Sequence, residues 1–123
     1  MISRKRPKRK ASGGIYQDGR KKRKSESAGV PTMSKIGEIK RKIVRVLGAN
    51  QKVRILQTEN VNLFDGKKYV QTKIKTVAES TANQNFVRRN ILTKGAIIET
   101  EQGKAKITSR PGQTGSLNAI LVK

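Results

Sequence analysis

Cysteine and histidine are both absent from this 123-residue sequence. Without cysteine the chain has no disulfides and no thiolate metal site, which fits a reducing compartment. Without histidine it lacks the commonest general base and a common zinc ligand. These absences remove the residues on which most zinc sites and many acid–base mechanisms depend.

Acidic residues are also few, with eight in all, and the six in residues 31–123 are scattered over predicted turns and strand ends. A two-metal nuclease site needs several carboxylates to converge, so we expect no metal site. The pair Gly13-Gly14 lacks the strand-to-helix setting and the spacing of a phosphate-binding loop. We therefore predict a protein that is not an enzyme, with no cofactor and no small-molecule substrate.

Long apolar runs are missing as well. No stretch approaches the roughly 18 apolar residues that a membrane-spanning helix needs. Met1-Ile2 leads directly into cations, so no secretory signal is predicted. We expect a soluble protein of the cytoplasm that has no membrane partner.

Positive charge is what the sequence has in excess. It holds 29 lysines and arginines against 8 acidic residues, a formal charge of +21. Residues 1–30 carry 11 basic and 2 acidic residues, and residues 31–123 carry 18 and 6. The charges of +9 and +12 show that both parts are basic. Such a balance is typical of a nucleic-acid-binding protein.

Residues 1–30 are predicted to be a basic, extended arm that is disordered without RNA, because dense like charges repel. An amphipathic targeting helix is the alternative, but Gly13, Gly14 and Gly19 would interrupt it. A solvated, solubilising tail is another alternative. If the arm binds RNA, the residues expected to contact it are Arg4, Lys5, Arg6, Lys8, Arg9, Lys10, Ser12, Gly13, Gly14, Arg20, Lys21, Lys22, Arg23 and Lys24.

Residues 31–123 alternate in short apolar runs, which predicts an all-β domain of about six strands. Segments 39–47 and 52–57 form a first hairpin, and 61–64 and 69–77 a second one across a type I′ turn at Asp65-Gly66. Segments 96–100 and 104–108 form a third hairpin, and 117–122 is the last strand. We expect a closed or nearly closed barrel with an aliphatic core, although a sandwich has the same spacing.

Two local features of this domain are predicted in more detail. In the strand 69–77, Val70, Thr72, Ile74 and Thr76 are expected on one face. Residues 83–90 favour a short helix that Asn83 caps, with Phe86 and Val87 facing inward and the two arginines facing outward.

Several cations of the domain are predicted to bind RNA. The cations of the first hairpin are predicted to cover one end or one face of that hairpin, although solvated strand faces also carry lysine. The turn at residues 110–113 is either purely structural or an RNA-contacting loop. The candidates in the domain are Lys35, Lys40, Arg41, Lys42, Arg45, Lys52, Arg54, Arg88, Arg89, Lys94 and Arg110.

RNA is the favoured nucleic acid. No helix is long enough to read a DNA major groove. Aromatic side chains are few, which argues against an open platform for single-stranded bases. A basic arm and a basic barrel suit folded RNA that is recognised by shape.

Four stretches of the sequence resemble the archaeal branch of the eukaryotic-type small-subunit ribosomal protein eight family. They are RKASGG at 9–14, RKKRK at 20–24 followed by SKIG at 34–37, NFVRRNILTKGAIIET at 85–100, and TSRPGQ at 108–113 with NA at 118–119. The resemblance implies a structural component of the small ribosomal subunit that binds ribosomal RNA beside neighbouring ribosomal proteins. It also implies a β-barrel body and an extended basic N-terminus.

The sequence departs from this family at one place. Residues 25–29 read SESAG, where the family tends to carry a Tyr-Glu-Leu-Gly-Arg-like segment. Contacts made through that aromatic residue and that arginine are therefore not expected here. Two other functions stay open at this point, a ribosome-assembly factor and a DNA-compacting chromatin protein.

Overall fold

The computed structural model describes residues 7–17, 19–21, 23–26 and 29–122. The chain divides into a first unit that ends at Pro31 and a second unit that begins at Thr32. In the second unit the described residues form nine strands and two short α-helices. The strands are β1 (Ser34–Lys35), β2 (Lys40–Arg45), β3 (Gln51–Gln57), β4 (Asn60–Phe64), β5 (Tyr69–Glu79), β6 (Ile91–Leu92), β7 (Ile97–Thr100), β8 (Gly103–Ile107) and β9 (Asn118–Leu121), and the helices are α1 (Gln84–Arg88) and α2 (Pro111–Thr114).

Five of these strands close into a barrel in the order β4-β5-β7-β8-β9. Its neighbours pair in antiparallel fashion except β4 and β9, which close the barrel in parallel. The predicted all-β barrel is therefore confirmed. Closure gives each of these strands a partner on both sides and leaves no edge open for aggregation.

The first hairpin does not belong to the barrel but to a second sheet, of order β2-β3-β1-β6. The segments predicted from alternation did not include β1 and β6, which have two residues each and show no alternation. The buried hydroxyl of Ser34 donates to the carbonyl of Ile55 at 2.6 Å and ties β1 to β3. Strands β2 and β3 thus pair as predicted, but the neighbour of the hairpin is β1 and not a barrel strand.

The two sheets of the second unit share one core. Leu63, Ile98 and Ala105, from three barrel strands, are 0 % exposed. Ile55 and Leu92, from the second sheet, belong to the same buried cluster. The buried apolar side chains of the described residues are aliphatic or alanine, as the sequence predicts.

A bulge in β5 changes the predicted facing of its side chains. Thr72 and Ile74 are buried, but Thr76 is exposed and Val77 is buried in its place. The register against β7 shifts between Ile74 and Thr76 and again between Val77 and Glu79. An extra residue in one strand reverses the side-chain alternation beyond it, so the prediction for Thr76 was wrong. The Thr76 hydroxyl lies 3.2 Å from a carboxylate oxygen of Glu99, to which it donates.

The β4–β5 turn is also shifted by one residue from the prediction. Phe64 pairs with Tyr69, and the N–H of Asp65 donates to the carbonyl of Lys68 at 3.2 Å. Gly66 and Lys67 are therefore the central residues. Gly66 has φ 86°, whereas Lys67 is not among the residues with positive φ. A positive φ at the first central position alone indicates a type II′ turn, because type I′ requires it at both.

The predicted short helix is confirmed at α1. The side chain of Asn83 accepts a hydrogen bond from the backbone N–H of Asn85 at 2.9 Å. Phe86 and Val87 are half-buried. Asn90 ends the helix with φ 49°, a left-handed conformation that asparagine tolerates, and its side chain accepts from the N–H of Val77 at 3.4 Å.

The described residues of the first unit are exposed, except for the half-buried Glu26. A turn at residues 8–16 is closed by hydrogen bonds from the N–H of Lys10 to Gly14 at 2.8 Å and from that of Tyr16 to Lys8 at 3.0 Å. A three-residue 3-10 turn covers Lys24–Glu26. The expectation that residues 1–30 are disordered without RNA stays a prediction.

Candidate nucleic-acid interface

The cations of the first hairpin lie on both faces of the second sheet. Lys42 pairs with Arg54, and Val44 pairs with Lys52. Because directly paired residues point to the same side, Lys42, Lys52 and Arg54 share one face. Arg41 pairs with the buried Ile55 and Arg45 with Gln51, which places both arginines on the opposite face. Lys40 is exposed beside a register shift at the start of β2. We call Lys42, Lys52 and Arg54 the sheet cluster.

Arg54 is the most enclosed member of the sheet cluster. It is half-buried, and its Nη1 donates to the hydroxyl of Thr32 at 3.4 Å. Its buried Nε has no hydrogen-bond partner. Lys42 and Lys52 beside it are exposed. Three positive charges on one face, two of them on exposed lysines, form a surface that favours an anion.

The second contact of the cluster runs to α2. The ammonium of Lys52 donates to the side-chain carbonyl of Gln113 at 3.2 Å. Residues 52 and 113 are separated by 61 positions, so no local pattern in the sequence could reveal this contact. Sequence reasoning placed Gln113 in a notable motif but missed that it positions Lys52.

The motif around α2 packs closely on β3 and on Thr32. Pro111 begins the helix and is buried. Gly115 has φ 70°, and a Cβ added there would lie 2.7 Å from the Cβ of Val53. A Cβ added at Gly112 would lie 3.2 Å from that of Thr32. These residues bring the loop against the second sheet, while Arg110 before them stays exposed.

The remaining candidate cations of the second unit lie toward the β6 side of the same sheet. Lys35, exposed on β1, pairs with Gln57 of β3 and with Ile91 of β6. Arg88 is the last residue of α1 and Arg89 follows it, both exposed. Helix α1 packs on β5 and β6. Lys94 is exposed in the turn that follows β6. Cations therefore occur from one side of this sheet to the other.

Candidate residues of the first unit are exposed wherever the structure describes them. The turn at 8–16 holds Ser12 and Gly14. Within it, Arg9 donates to the carbonyl of Gly13 at 2.9 Å. The Lys10 ammonium lies 5.7 Å from the centre of the Tyr16 ring. Four candidates lie outside the described residues: Arg4, Lys5, Arg6 and Lys22. The exposed candidates beyond the turn are Arg20, Lys21, Arg23 and Lys24.

Ion pairing differs between the two units. In the first unit Arg20 and Glu26 lie 2.6 Å apart, and this hydrogen bond raises the pKa of Arg20. In the second unit, no lysine or arginine that the structure describes has a carboxylate oxygen within the 4.0 Å of an ion pair. The excess charge of this unit is therefore not offset by pairing within it.

Two further findings concern the described residues alone. None of the helices there has the length and apolar character needed to cross a membrane. No three carboxylates among those residues come together at a position that could hold a metal ion.

Comparison with known proteins identifies the family. A family model for ribosomal protein S8e matches residues 3–122. The chain belongs to the ribosomal protein S8e family. The family predicted from the four sequence stretches is thereby confirmed, and the match runs through both units.

Curated relatives agree with this assignment. The protein named small ribosomal subunit protein eS8 of Methanocorpusculum labreanum is 50 % identical over 117 residues, which is 94 % of each chain. That of Methanospirillum hungatei is 49 % identical with the same coverage. That of Nanoarchaeum equitans is 48 % identical over 96 % of this chain and 94 % of its own. Similarity of this kind extends over almost the full length of both partners.

Proposed function

We propose that this protein is a structural constituent of the small ribosomal subunit that binds ribosomal RNA and acts with neighbouring ribosomal proteins in the cytoplasm. The observation that carries the proposal is the unpaired charge of the second unit. Its described cations have no ion-pair partners there, although residues 31–123 carry a net charge of +12. A polyanion is the partner that such a surface requires.

The mechanism is electrostatic. Each lysine or arginine that neutralises a phosphate releases condensed counterions, which gives an affinity that falls steeply with salt. The sheet cluster supplies fixed charges for this purpose because Thr32 and Gln113 hold two of its side chains. Less side-chain freedom is then lost on binding.

The two units are given different tasks in this proposal. The second unit fixes the position on folded RNA, because its cations are mounted on sheets that share one packed core. The first 24 residues, with 11 cations, penetrate and cross-brace the RNA. The S8e family membership and the printed names of the relatives support a role in the small subunit.

The first experiment measures binding of the purified chain to a structured fragment of small-subunit RNA between 50 and 500 mM salt. The wild type should lose affinity steeply over this range. The double variant Lys52→Gln/Arg54→Gln should weaken binding and reduce the slope of log affinity against log salt by about 2.

A matched control exists on the barrel. Lys73→Gln/Lys75→Gln likewise removes two cations at alternate positions of one strand, β5, and both of them are exposed. This variant should change the slope much less than the β3 variant. Thermal unfolding of both establishes that each is folded. Equal reductions of affinity and of the slope in the two variants would show that binding depends on the number of cations and not on their position in the sheet cluster.

Deletion of residues 1–24 tests the division of tasks. The truncated protein should bind more weakly and with a flatter salt dependence, but crosslinks should fall at unchanged RNA positions. Crosslinks that move to other positions would disprove the proposed role of the second unit. Quantification in purified mature small subunits should give one copy each, whereas presence on precursor particles alone would identify an assembly factor. Recovery with DNA after RNase treatment would identify a DNA-binding protein.

A further inference from the structure

Two of the few aromatic side chains in this chain meet on the outside of the barrel. Phe64 of β4 and Tyr69 of β5 are directly paired, with ring centres 4.9 Å apart and planes inclined by 41°. Tyr69 is 70 % exposed and Phe64 is half-buried. The neighbours of Phe64 and Ile120 toward the interior, Leu63 and Ala119, are buried in the core. The aromatic pair is therefore not needed to fill the barrel.

The pair continues into a row that crosses four strands. Phe64 pairs with Ile120 of β9, and Ile120 pairs with Lys106 of β8. Since paired residues point to the same side of a sheet, Tyr69, Phe64, Ile120 and Lys106 lie side by side on the outer surface. Ile120 is 47 % exposed and Lys106 is exposed. We call these four residues the aromatic row.

An open cavity of about 550 Å³ lies over part of this row. Phe64, Ile120 and Val122 give it apolar walls. Lys106, the hydroxyl-bearing Thr108 and Asp65 also line it. The cavity thus combines a flat ring, aliphatic contacts, a cation and a few hydrogen-bonding groups.

The charges around the row decide what kind of partner it fits. Lys106 lines the cavity itself, and Lys67 and Lys68 occupy the turn next to Tyr69, while Asp65 is the acidic residue there. The centre of a protein–protein interface is usually depleted in lysine. An exposed aromatic ring flanked by cations is instead the combination that single-stranded nucleic acid uses, with bases stacked on rings and phosphates on cations.

We propose that the aromatic row and its cavity bind an unpaired base of RNA. The base lies against the rings of Phe64 and Tyr69 and over Ile120, and Lys106 neutralises its phosphate. The proposal rests on the proposed function in one respect, that the partner is RNA. It adds a second kind of contact, because the sheet cluster binds backbone charge and the aromatic row binds a base.

The chain allows a direct optical test, since it holds two tyrosines and no tryptophan. In the full-length variant Tyr16→Phe, Tyr69 is the single tyrosine. Its emission is followed while octauridylate is added at low salt, and in parallel an abasic octamer with the same sugar-phosphate backbone. Base stacking should quench Tyr69 with octauridylate, and the abasic octamer should leave the emission unchanged.

Affinity is measured separately with fluorescein-labelled octauridylate. Tyr69→Leu and Phe64→Leu should each weaken binding about 5- to 100-fold, the range for loss of one stacked base. Tyr69→Phe, which keeps the ring, should bind like the wild type. Lys106→Gln should weaken both octamers alike. Thermal unfolding of each variant excludes loss of the fold as the cause.

The outcomes separate this inference from the proposed function. If octauridylate and the abasic octamer bind and quench alike, or the leucine variants bind like the wild type, the base site is disproved. That result, with binding of structured ribosomal RNA intact, leaves the proposed function standing. If neither the octamer nor the structured RNA binds, both proposals are disproved.

Discussion

The barrel and the second sheet are built from the same kinds of strand but expose very different amounts of apolar surface. Every barrel strand has two partners and contributes buried side chains to the core. Strand β2 of the second sheet lies at an edge, and only one of its six residues is even half-buried. Closure thus stabilises the barrel, whereas β2 of the second sheet has little buried surface and exposes its cations.

The large apolar residues in and beside β2 are consistent with this contrast. Ile39, Ile43 and Leu47 are 57 %, 64 % and 95 % exposed. An exposed apolar edge strand invites pairing with other chains. Lys40, Arg41, Lys42 and Arg45 on the same strand oppose such pairing by charge repulsion. The cations near β2 therefore protect the free protein as well as serving the proposed binding of RNA.

The sharpest test of the contrast compares two isoleucines. Ile98 of β7 is 0 % exposed and Ile43 of β2 is 64 % exposed. Ile98→Ala removes buried methylenes and leaves a cavity, so it should lower the free energy of unfolding by about 3 to 4 kcal/mol. Ile43→Ala should change it by less than about 0.5 kcal/mol. Urea denaturation of the full-length chain measures both values.

RNA binding completes that comparison. At a temperature where both variants are folded, Ile98→Ala should bind structured RNA like the wild type, because the buried side chain of Ile98 cannot contact RNA. Similar stability losses in the two variants would show that Ile43 is covered in solution. The separation between a stabilising barrel and a binding sheet would then be incorrect.

The next largest effect is expected where α2 packs on β3. Gly115→Ala places a Cβ 2.7 Å from that of Val53, at a residue with φ 70°. The left-handed conformation and the overlap should together lower the free energy of unfolding by about 2 to 3 kcal/mol. Gly48→Ala is the matched control, because Gly48 has the similar left-handed φ of 69° and ψ of 31°, and the nearest atom to an added Cβ is an ordinary 3.6 Å away.

The control isolates the cost of backbone conformation, which should be about 1 kcal/mol. The difference between the two glycine variants then measures the close approach of the loop to β3. If the variants lose equal stability, the loop can move away from Val53 at no cost. The contact between Lys52 and Gln113 would in that case contribute nothing to the position of the sheet cluster.

Local patterns in the sequence predicted most of the fold correctly. Alternation located the three hairpins, and Asn83 together with Phe86 and Val87 located α1. Apart from the one-residue shift of the β4–β5 turn, the errors arose where the decisive contact is distant in sequence. The pairing of β1 with β3 and β6 determines that the first hairpin joins a second sheet, and no property of residues 39–57 encodes it. The bulge that exposes Thr76 likewise depends on the register against β7.

The sequence predicted which cations belong to the candidate interface, but it did not predict which of them share a face. Counting charges identified the cations, because a charge surplus is visible without a structure. The division of the hairpin cations between two faces follows from the register of β2 and β3, in which Lys42 meets Arg54 and Arg41 meets Ile55. The aromatic row was missed for a similar reason. Phe64 and Ile120 are neighbours only because β4 and β9 close the barrel.

The smallest expected effect concerns two buried threonines of the barrel. Thr72 and Thr100 are 6 % and 5 % exposed. The hydroxyl of Thr100 donates to the carbonyl of Gly103 at 2.8 Å, whereas that of Thr72 is buried with no hydrogen-bond partner. Thr72→Val should therefore stabilise the protein by about 1 kcal/mol, since a buried hydroxyl without a partner costs about that much.

Thr100→Val should have the opposite sign, because it removes a hydrogen bond that contributes about 1 kcal/mol. In a domain of this size the two variants should move the melting temperature by about 4 to 8 °C in opposite directions. A lower melting temperature for Thr72→Val would mean that an internal water binds its hydroxyl. The barrel interior would then be polar at that point. The barrel and the second sheet would in that case differ only in degree, because Thr72 would need a water molecule and the cations of the sheet the proposed RNA.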